Sequence, residues 1–290
     1  MKPAAFEFHA PDSEQEIQSL LEEHGDEARL LAGGQSLVPL MNMRILQPSV
    51  IISLNRCQSL AYLKADGDCI RCGALTRQAD AEESKLVARH VPLLRAALPH
   101  VGVAASRNFG TVCGSLAHAD PLAELPSVAS ALDATFVITS ARGTREVDAG
   151  AFFVSALTTC VEPDEMLREV RFPKVARNAR SVFLEVANRA HGSAVVALAA
   201  CVELDAEKRC TRARLAAVAV GDIPFRLTEA ETLLDNKALT KEVIDEAAMA
   251  AAGSVQPEDD AHASADHRRH LVAVLVKRAL GEALAQEAPS

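Results

Sequence analysis

The stretch Arg107-Asn108-Phe109-Gly110-Thr111-Val112-Cys113-Gly114-Ser115-Leu116-Ala117-His118-Ala119-Asp120-Pro121 decides how the rest of the chain is read. It packs two glycines, two hydroxyls, a histidine and an acid into one segment through which no helical or strand-like apolar period runs. A segment of that make-up is read as a site, with His118 and Asp120 as its first acid–base candidates. Immediately after it, Leu122, Leu125, Val128, Ala129 and Leu132 recur at helical spacing. Asp120 is therefore expected to cap a helix with Pro121 at its first position. Thr111, Gly114 and Ser115 then stand just ahead of a helix N-terminus, where free N–H groups and the dipole favour an anion. The plainer alternative is that the glycines only turn the chain and Asp120 only caps.

A second segment of similar chemistry lies upstream. Ala28-Arg29-Leu30-Leu31 reads as a short strand running directly into Ala32-Gly33-Gly34-Gln35-Ser36-Leu37. A strand ending in Gly-Gly and followed by polar donors can expose successive backbone N–H groups as a nest for phosphate oxygens, or it can be an ordinary tight turn. The Walker and Rossmann patterns are absent, since neither the Gly-Lys-Ser/Thr ending nor the three-glycine spacing occurs here. Two glycine-plus-hydroxyl loops, each beside a well-patterned element, together favour a large phosphorylated ligand.

Outward from these loops, Ser13 and Glu16 form a capping-box signature before Ile17, Leu20 and Leu21, and Gly25 closes that helix. Hairpins are expected about Asp66-Gly67-Asp68 and about Arg142-Gly143. Thr76 is a candidate N-cap, and Val87 to Leu98 carries a helical pattern. Met166 to Pro173 alternates like a strand, and the basic connector Lys174–Arg180 is the expected domain boundary. Beyond it, three β segments (Val182–Val186, Ala194–Val202, Ala213–Val220) precede three helical patterns, the last spanning about Asp266 to Ala285.

Composition limits the function classes. At 290 residues with 49% hydrophobic and 24% charged residues, the chain reads as globular and about two domains long. A net charge of −9 argues against nucleic-acid binding. No signal-peptide core or apolar run of membrane-spanning length occurs, so a cytoplasmic protein is expected. The 7 cysteines are scattered; only Cys69 and Cys72 lie close, and strand alternation suggests plain burial rather than a metal or redox pair.

With both loops in view, the chain resembles a known family along almost its whole length: the FAD-binding medium subunits of molybdenum hydroxylases, which include carbon monoxide, xanthine, nicotine and caffeine dehydrogenases. The resemblance rests on residues 32–39 and 107–121, on the Glu165–Pro173 strand, on Val220-Gly221-Asp222-Ile223-Pro224-Phe225-Arg226, and on Ser264-Ala265-Asp266-His267-Arg268-Arg269. It implies an α+β chain: a two-part FAD-binding domain of the p-cresol methylhydroxylase (PCMH) type over residues 1–175, with subdomains about 1–56 and 57–175. A small α+β domain with a three-stranded antiparallel sheet would follow over 178–286.

The resemblance further implies noncovalent FAD held by Ala32, Gly33, Gly34, Gln35, Ser36 and Leu37 on one side and by Thr111, Gly114, Ser115 and Ala119 on the other. Asp120 matches an acid near the ribityl or phosphate region, and Leu167 an apolar residue near the flavin or adenine. Arg189 and His191 are candidates near the flavin ring. Molybdopterin and [2Fe-2S] clusters are expected only on a large and a small partner subunit, in a dimer of heterotrimers, because the cysteines here form no cluster-binding run. The implied role is electron transfer from the partner's clusters through FAD to an external acceptor. No catalytic acid–base set and no metal ligands are expected on this chain, and His118 becomes structural.

Three positions depart from the family pattern: Cys113 where many relatives have glycine, Asn188-Arg189-Ala190-His191-Gly192-Ser193 in place of a motif with an acid and an aromatic, and Glu185 about where some relatives have lysine. The alternatives are a self-sufficient flavoprotein oxidase or reductase of the same fold, and a flavin-free interaction protein. The basic residues Arg268, Arg269, Lys277 and Arg278 form either a docking surface or a solvated helix face.

Overall fold

Glu7–His9 and Ala28–Leu31 each pair in parallel with the apolar Val50–Ser53 segment, giving a three-stranded sheet with Val50–Ser53 in the middle. The computed structural model describes residues 2–286; Met1, the first residue of the expected flavin domain, lies outside them. Ser13 caps the helix Glu14–His24 by accepting a hydrogen bond from the Glu16 amide, and Ile17 and Leu21 bury against this sheet.

A five-stranded antiparallel sheet follows, in the order Leu63–Asp66, Cys69–Gly73, Met166–Pro173, Thr135–Ser140, Gly143–Asp148. Its hairpins turn at Gly67 and Gly143, both at positive φ. The central strand carries Glu169, fully buried and hydrogen-bonded by Tyr62, Arg71 and Arg171. Burial pushes this carboxyl up, but the three donors outweigh it and hold it ionised, below its usual range.

The C-terminal region is built on three long antiparallel strands, Ala179–Ala187, Ala194–Leu204 and Arg209–Val218. Two-residue strands, Phe225–Arg226 and Lys237–Ala238, extend the last of them. The helices Thr228–Leu234, Lys241–Ser254 and Ala265–Ala285 supply one face of its core. On the other, Ala197, Ala199, Ala216 and Phe183 join the core beneath the helices Pro92–Ala97 and Glu124–Ala131. The middle strand is buried on both faces, which is why Ala194 to Val202 shows no alternation. The chain is thus α+β, as expected.

Three local expectations are corrected. The Val87–Leu98 pattern is two helices, Lys85–His90 and Pro92–Ala97, because Pro92 has no N–H to continue the first. Thr76 caps nothing; its hydroxyl donates to the Tyr62 carbonyl, and Arg77 precedes the helix Gln78–Glu83. The stretch 107–121 is not a loop: it contains the end of one short helix, Ala104–Phe109, and all of another, Val112–His118.

Candidate functional site

Gly33 brings the two glycine segments together. A Cβ there would fall 2.3 Å from the Phe109 carbonyl oxygen and 2.7 Å from Gly110 Cα, so only glycine lets the backbones touch. A polar clip fixes the contact. Asn55 Nδ2 donates to the carbonyls of Ala32 (2.9 Å) and Leu31 (3.3 Å), while Arg77 donates to Asn55 Oδ1 at 2.7 Å and to the Phe109 carbonyl. Neither Asn55 nor Arg77 is singled out by the sequence reading, since 22 positions separate them and nothing local marks their meeting.

The first segment has the geometry of an anion nest. Gly34 sits at φ 71°, and its carbonyl accepts from the Val38 amide as the helix Leu37–Asn42 begins. Among the described residues, the amides of Gly33, Gly34, Gln35, Ser36 and Leu37 donate to no carbonyl. Ser36 does not spend its hydroxyl on capping. Consecutive unspent donors beside a left-handed glycine are what a phosphate oxygen needs.

The second segment is more fully satisfied. Thr111 Oγ1 caps the helix Val112–His118 by accepting from the Gly114 amide at 2.9 Å. Val112 donates to the Thr76 carbonyl and Ser115 to the Thr111 carbonyl. These three amides are occupied, so this side offers the dipole of its first turn, the Ser115 hydroxyl and the exposed backbone of Gly114. A Cβ on Gly114 would fall 2.6 Å from Thr111 Oγ1, so the glycine protects the cap.

Ala119 ends the helix in the left-handed conformation and is buried. Asp120 does not cap the next helix: its Oδ1 accepts from the Leu122 amide at 2.9 Å, and the helix starts at Glu124. Leu167 lies in the core with Val112, Cys113 and Leu116, supporting the helix from below. Cys113 has an ordinary helical φ and turns its thiol into that core, donating to the Cys72 carbonyl at 3.4 Å. Burial pushes this thiol well up, so it stays protonated. The Cys113 side chain is thus accommodated within the core.

Arg189 and His191 stand apart from both segments, in the exposed turn between Ala179–Ala187 and Ala194–Leu204. His191 has φ 56°. Asn188, Arg189, Gly192, Ser193, Ala194 and His262 line a cleft of about 330 Å³ there.

Two acids outside these segments are shifted by burial. Glu124, whose only marker is its place at a helix start, is buried and pushed up to about 7 by that burial and then by the charge of Asp120. Glu185 is pushed up to about 7 by burial and then by Glu124. Among the described residues, no group of His, Cys, Asp and Glu is placed to hold a metal ion, and no helix is long and apolar enough to cross a membrane.

Residues 4–175 match the family model for the FAD binding domain in molybdopterin dehydrogenase, and residues 181–283 that for the CO dehydrogenase flavoprotein C-terminal domain. The chain is 36% identical over 290 residues to 6-hydroxypseudooxynicotine dehydrogenase complex subunit alpha of Paenarthrobacter nicotinovorans, covering 100% of this chain and 98% of that one. It is 34% identical over 282 residues to the glyceraldehyde dehydrogenase medium chain of Sulfolobus acidocaldarius, covering 97% and 99%. Its fold superimposes on a chain of carbon monoxide dehydrogenase from Hydrogenophaga pseudoflava with a TM-score of 0.95 at 34% identity, covering 98% and 99% of the two chains.

Proposed function

As the chain belongs to the family of FAD-binding medium subunits of molybdenum hydroxylases, we propose that it passes electrons from a partner's [2Fe-2S] clusters through FAD to an external acceptor. The observation that carries the reading is the run of unspent amides at 33–37, locked against Phe109–Gly110 by a contact only glycine permits. A diphosphate suits such a cradle because backbone N–H groups, hydroxyls and a helix dipole neutralise it without a basic cluster.

In this reading Ala32, Gly33, Gly34, Gln35, Ser36 and Leu37 hold the diphosphate, with Thr111, Gly114, Ser115 and Ala119 opposite. Asp120 would lie at the ribityl or phosphate region and Leu167 near the flavin or adenine, with Arg189 and His191 near the flavin ring. FAD, when bound, supplies the redox chemistry; the chain binds, orients and shields it. The flavin-binding part is assigned to residues 1–175 and the small domain to 178–286. The partners are a large molybdopterin-binding subunit and a small [2Fe-2S] subunit, in a cytoplasmic dimer of heterotrimers.

The test is bleaching of the flavin absorbance in the purified complex. Substrate should bleach it when all three subunits are present and leave it unchanged with this chain alone. Oxidation of an organic substrate by the isolated chain overturns the subunit assignment in favour of a self-sufficient flavoprotein.

A further inference from the structure

One row of residues runs straight across the C-terminal sheet. Arg226 lies opposite Ala216, Ala216 opposite Ala199, and Ala199 opposite Phe183. Both ends of the row are held by groups outside the sheet. At one end Phe183 packs on the His100 ring of the turn Leu98–His100, with centroids 5.0 Å apart. At the other, Arg226 Nη1 donates to Asp133 Oδ1 at 2.6 Å and to the Ser130 carbonyl at 2.9 Å. These acceptors stand at the C-terminal end of the helix Glu124–Ala131, where the dipole favours a cation.

The same guanidinium is braced from behind. Its Nε and Nη2 donate to the two carboxylate oxygens of Glu231 at 2.9 and 3.0 Å, and Glu231 Oε1 also accepts from the Leu215 amide at 2.6 Å. Serving a carboxylate on each side and a carbonyl suits the fork of an arginine, not the point charge of a lysine. Asp133, left-handed at φ 52°, draws in Arg212 and Arg214 as well, 3.5 and 3.6 Å from its Oδ2. Ahead of the helix, the Ala219 amide donates to the Pro121 carbonyl at 2.9 Å.

Between the two anchors, Ala199 and Ala216 present only methyl groups to the helix Glu124–Ala131, which packs on both of their strands. Methyl groups make shallow ridges, so they fix the spacing of helix and sheet but hold its angle weakly. The anchors set that angle. The strands carrying Phe183 and Ala199 run on into the turn that bears Arg189 and His191.

We infer that Arg226 is a positioning residue for the flavin ring: by gripping the end of Glu124–Ala131 it sets the angle of the C-terminal sheet, and with it the reach of Arg189 and His191 to the ring. This rests on the FAD reading proposed above. Arg226 acts through the sheet and not by contact with the cofactor.

Binding of FAD and of ADP to the flavin-free full chain separates this role from general stability, because ADP carries the diphosphate and lacks the ring. Arg226→Ala should weaken FAD on the order of tenfold, the scale of one charge-assisted anchor lost, and leave ADP affinity unchanged. Asp133→Asn keeps Arg226 paired with Glu231, which guards against misfolding, and should weaken FAD in the same sense by less. Arg226→Lys should recover part of the loss. Combining Arg226→Ala with Arg189→Ala should give losses that do not add, since both act at the ring. FAD affinity unchanged in both Arg226→Ala and Asp133→Asn, equal loss of ADP and FAD, or additive losses in the double variant overturns the positioning role alone. Absence of FAD binding by wild type overturns the FAD reading itself.

Discussion

Gly33, Thr111 and Glu124 each set a different property at the scale of one side chain. At Gly33 a single methyl group would meet the Phe109 carbonyl at 2.3 Å, so Gly33→Ala must part the two segments. We predict at least tenfold weaker FAD binding and a stability loss of about 1–3 kcal/mol, the usual cost of overpacking. Gly150→Ala, whose added Cβ meets nothing within 4 Å, should change neither, and flavin titration with thermal melts compares the two. Thr111→Ala removes the cap on the Gly114 amide and should cost about 1 kcal/mol in denaturant unfolding.

Glu124 governs a pH effect. Its folded pKa is raised to about 7, so the native state binds its proton more tightly than the unfolded chain. Its contribution is complete below the ordinary carboxyl range and is lost as pH rises through about 7. The expected size is roughly 3 kcal/mol from the shift, lessened by relaxation. Denaturant melts of wild type and Glu124→Gln should therefore differ in slope between about pH 4.5 and 7, with wild type losing more stability over that span. Nothing in the sequence distinguishes Glu124 from any acid at a helix start, because its burial comes from distant strands.

Among elements, the clip formed by Asn55 and Arg77 holds the strand that ends at Leu31 against the helix that ends at Phe109. Arg77→Ala should loosen both segments at once. The predicted outcome is FAD affinity lowered on the order of tenfold, with the partial charge-assisted bonds lost being worth about 1.5–3 kcal/mol each at most. Hydrogen exchange should rise at residues 32–37 and 109–111 and stay unchanged in the strands Ala179–Ala187 and Ala194–Leu204. Equal loosening throughout would contradict a local clip.

The elements also explain what the sequence conceals. The hairpins at Gly67 and Gly143, and the long strands and helices, were legible because their periods run over enough residues to be read. The helices Ala104–Phe109 and Val112–His118 were not: each spans under two turns, is punctuated by glycine, and is stabilised by Thr111 and by distant carbonyls such as that of Thr76. The Asp120-Pro121 start failed for a similar reason. Asp120 closes a local turn onto Leu122, and the Ala219 amide bonds to the Pro121 carbonyl, delaying the helix to Glu124.

Across the whole molecule, one core joins the central antiparallel sheet to the C-terminal strands: Ile70, Phe136 and Phe172 share it with Phe183, Ala197, Ala199 and Ala216. Small alanines on that face let the helix Glu124–Ala131 approach the strands Ala194–Leu204 and Arg209–Val218. The α+β class and the two glycine segments were readable in the chain. Their mutual contact was not, because it depends on how two sheets are set rather than on any local pattern.

The most direct test of the central claim is the flavin content of the purified full chain after saturation with FAD and removal of excess. One FAD per chain is expected, noncovalent and released by denaturation, with Gly33→Ala retaining far less. A wild-type chain that holds no flavin under these conditions would contradict it.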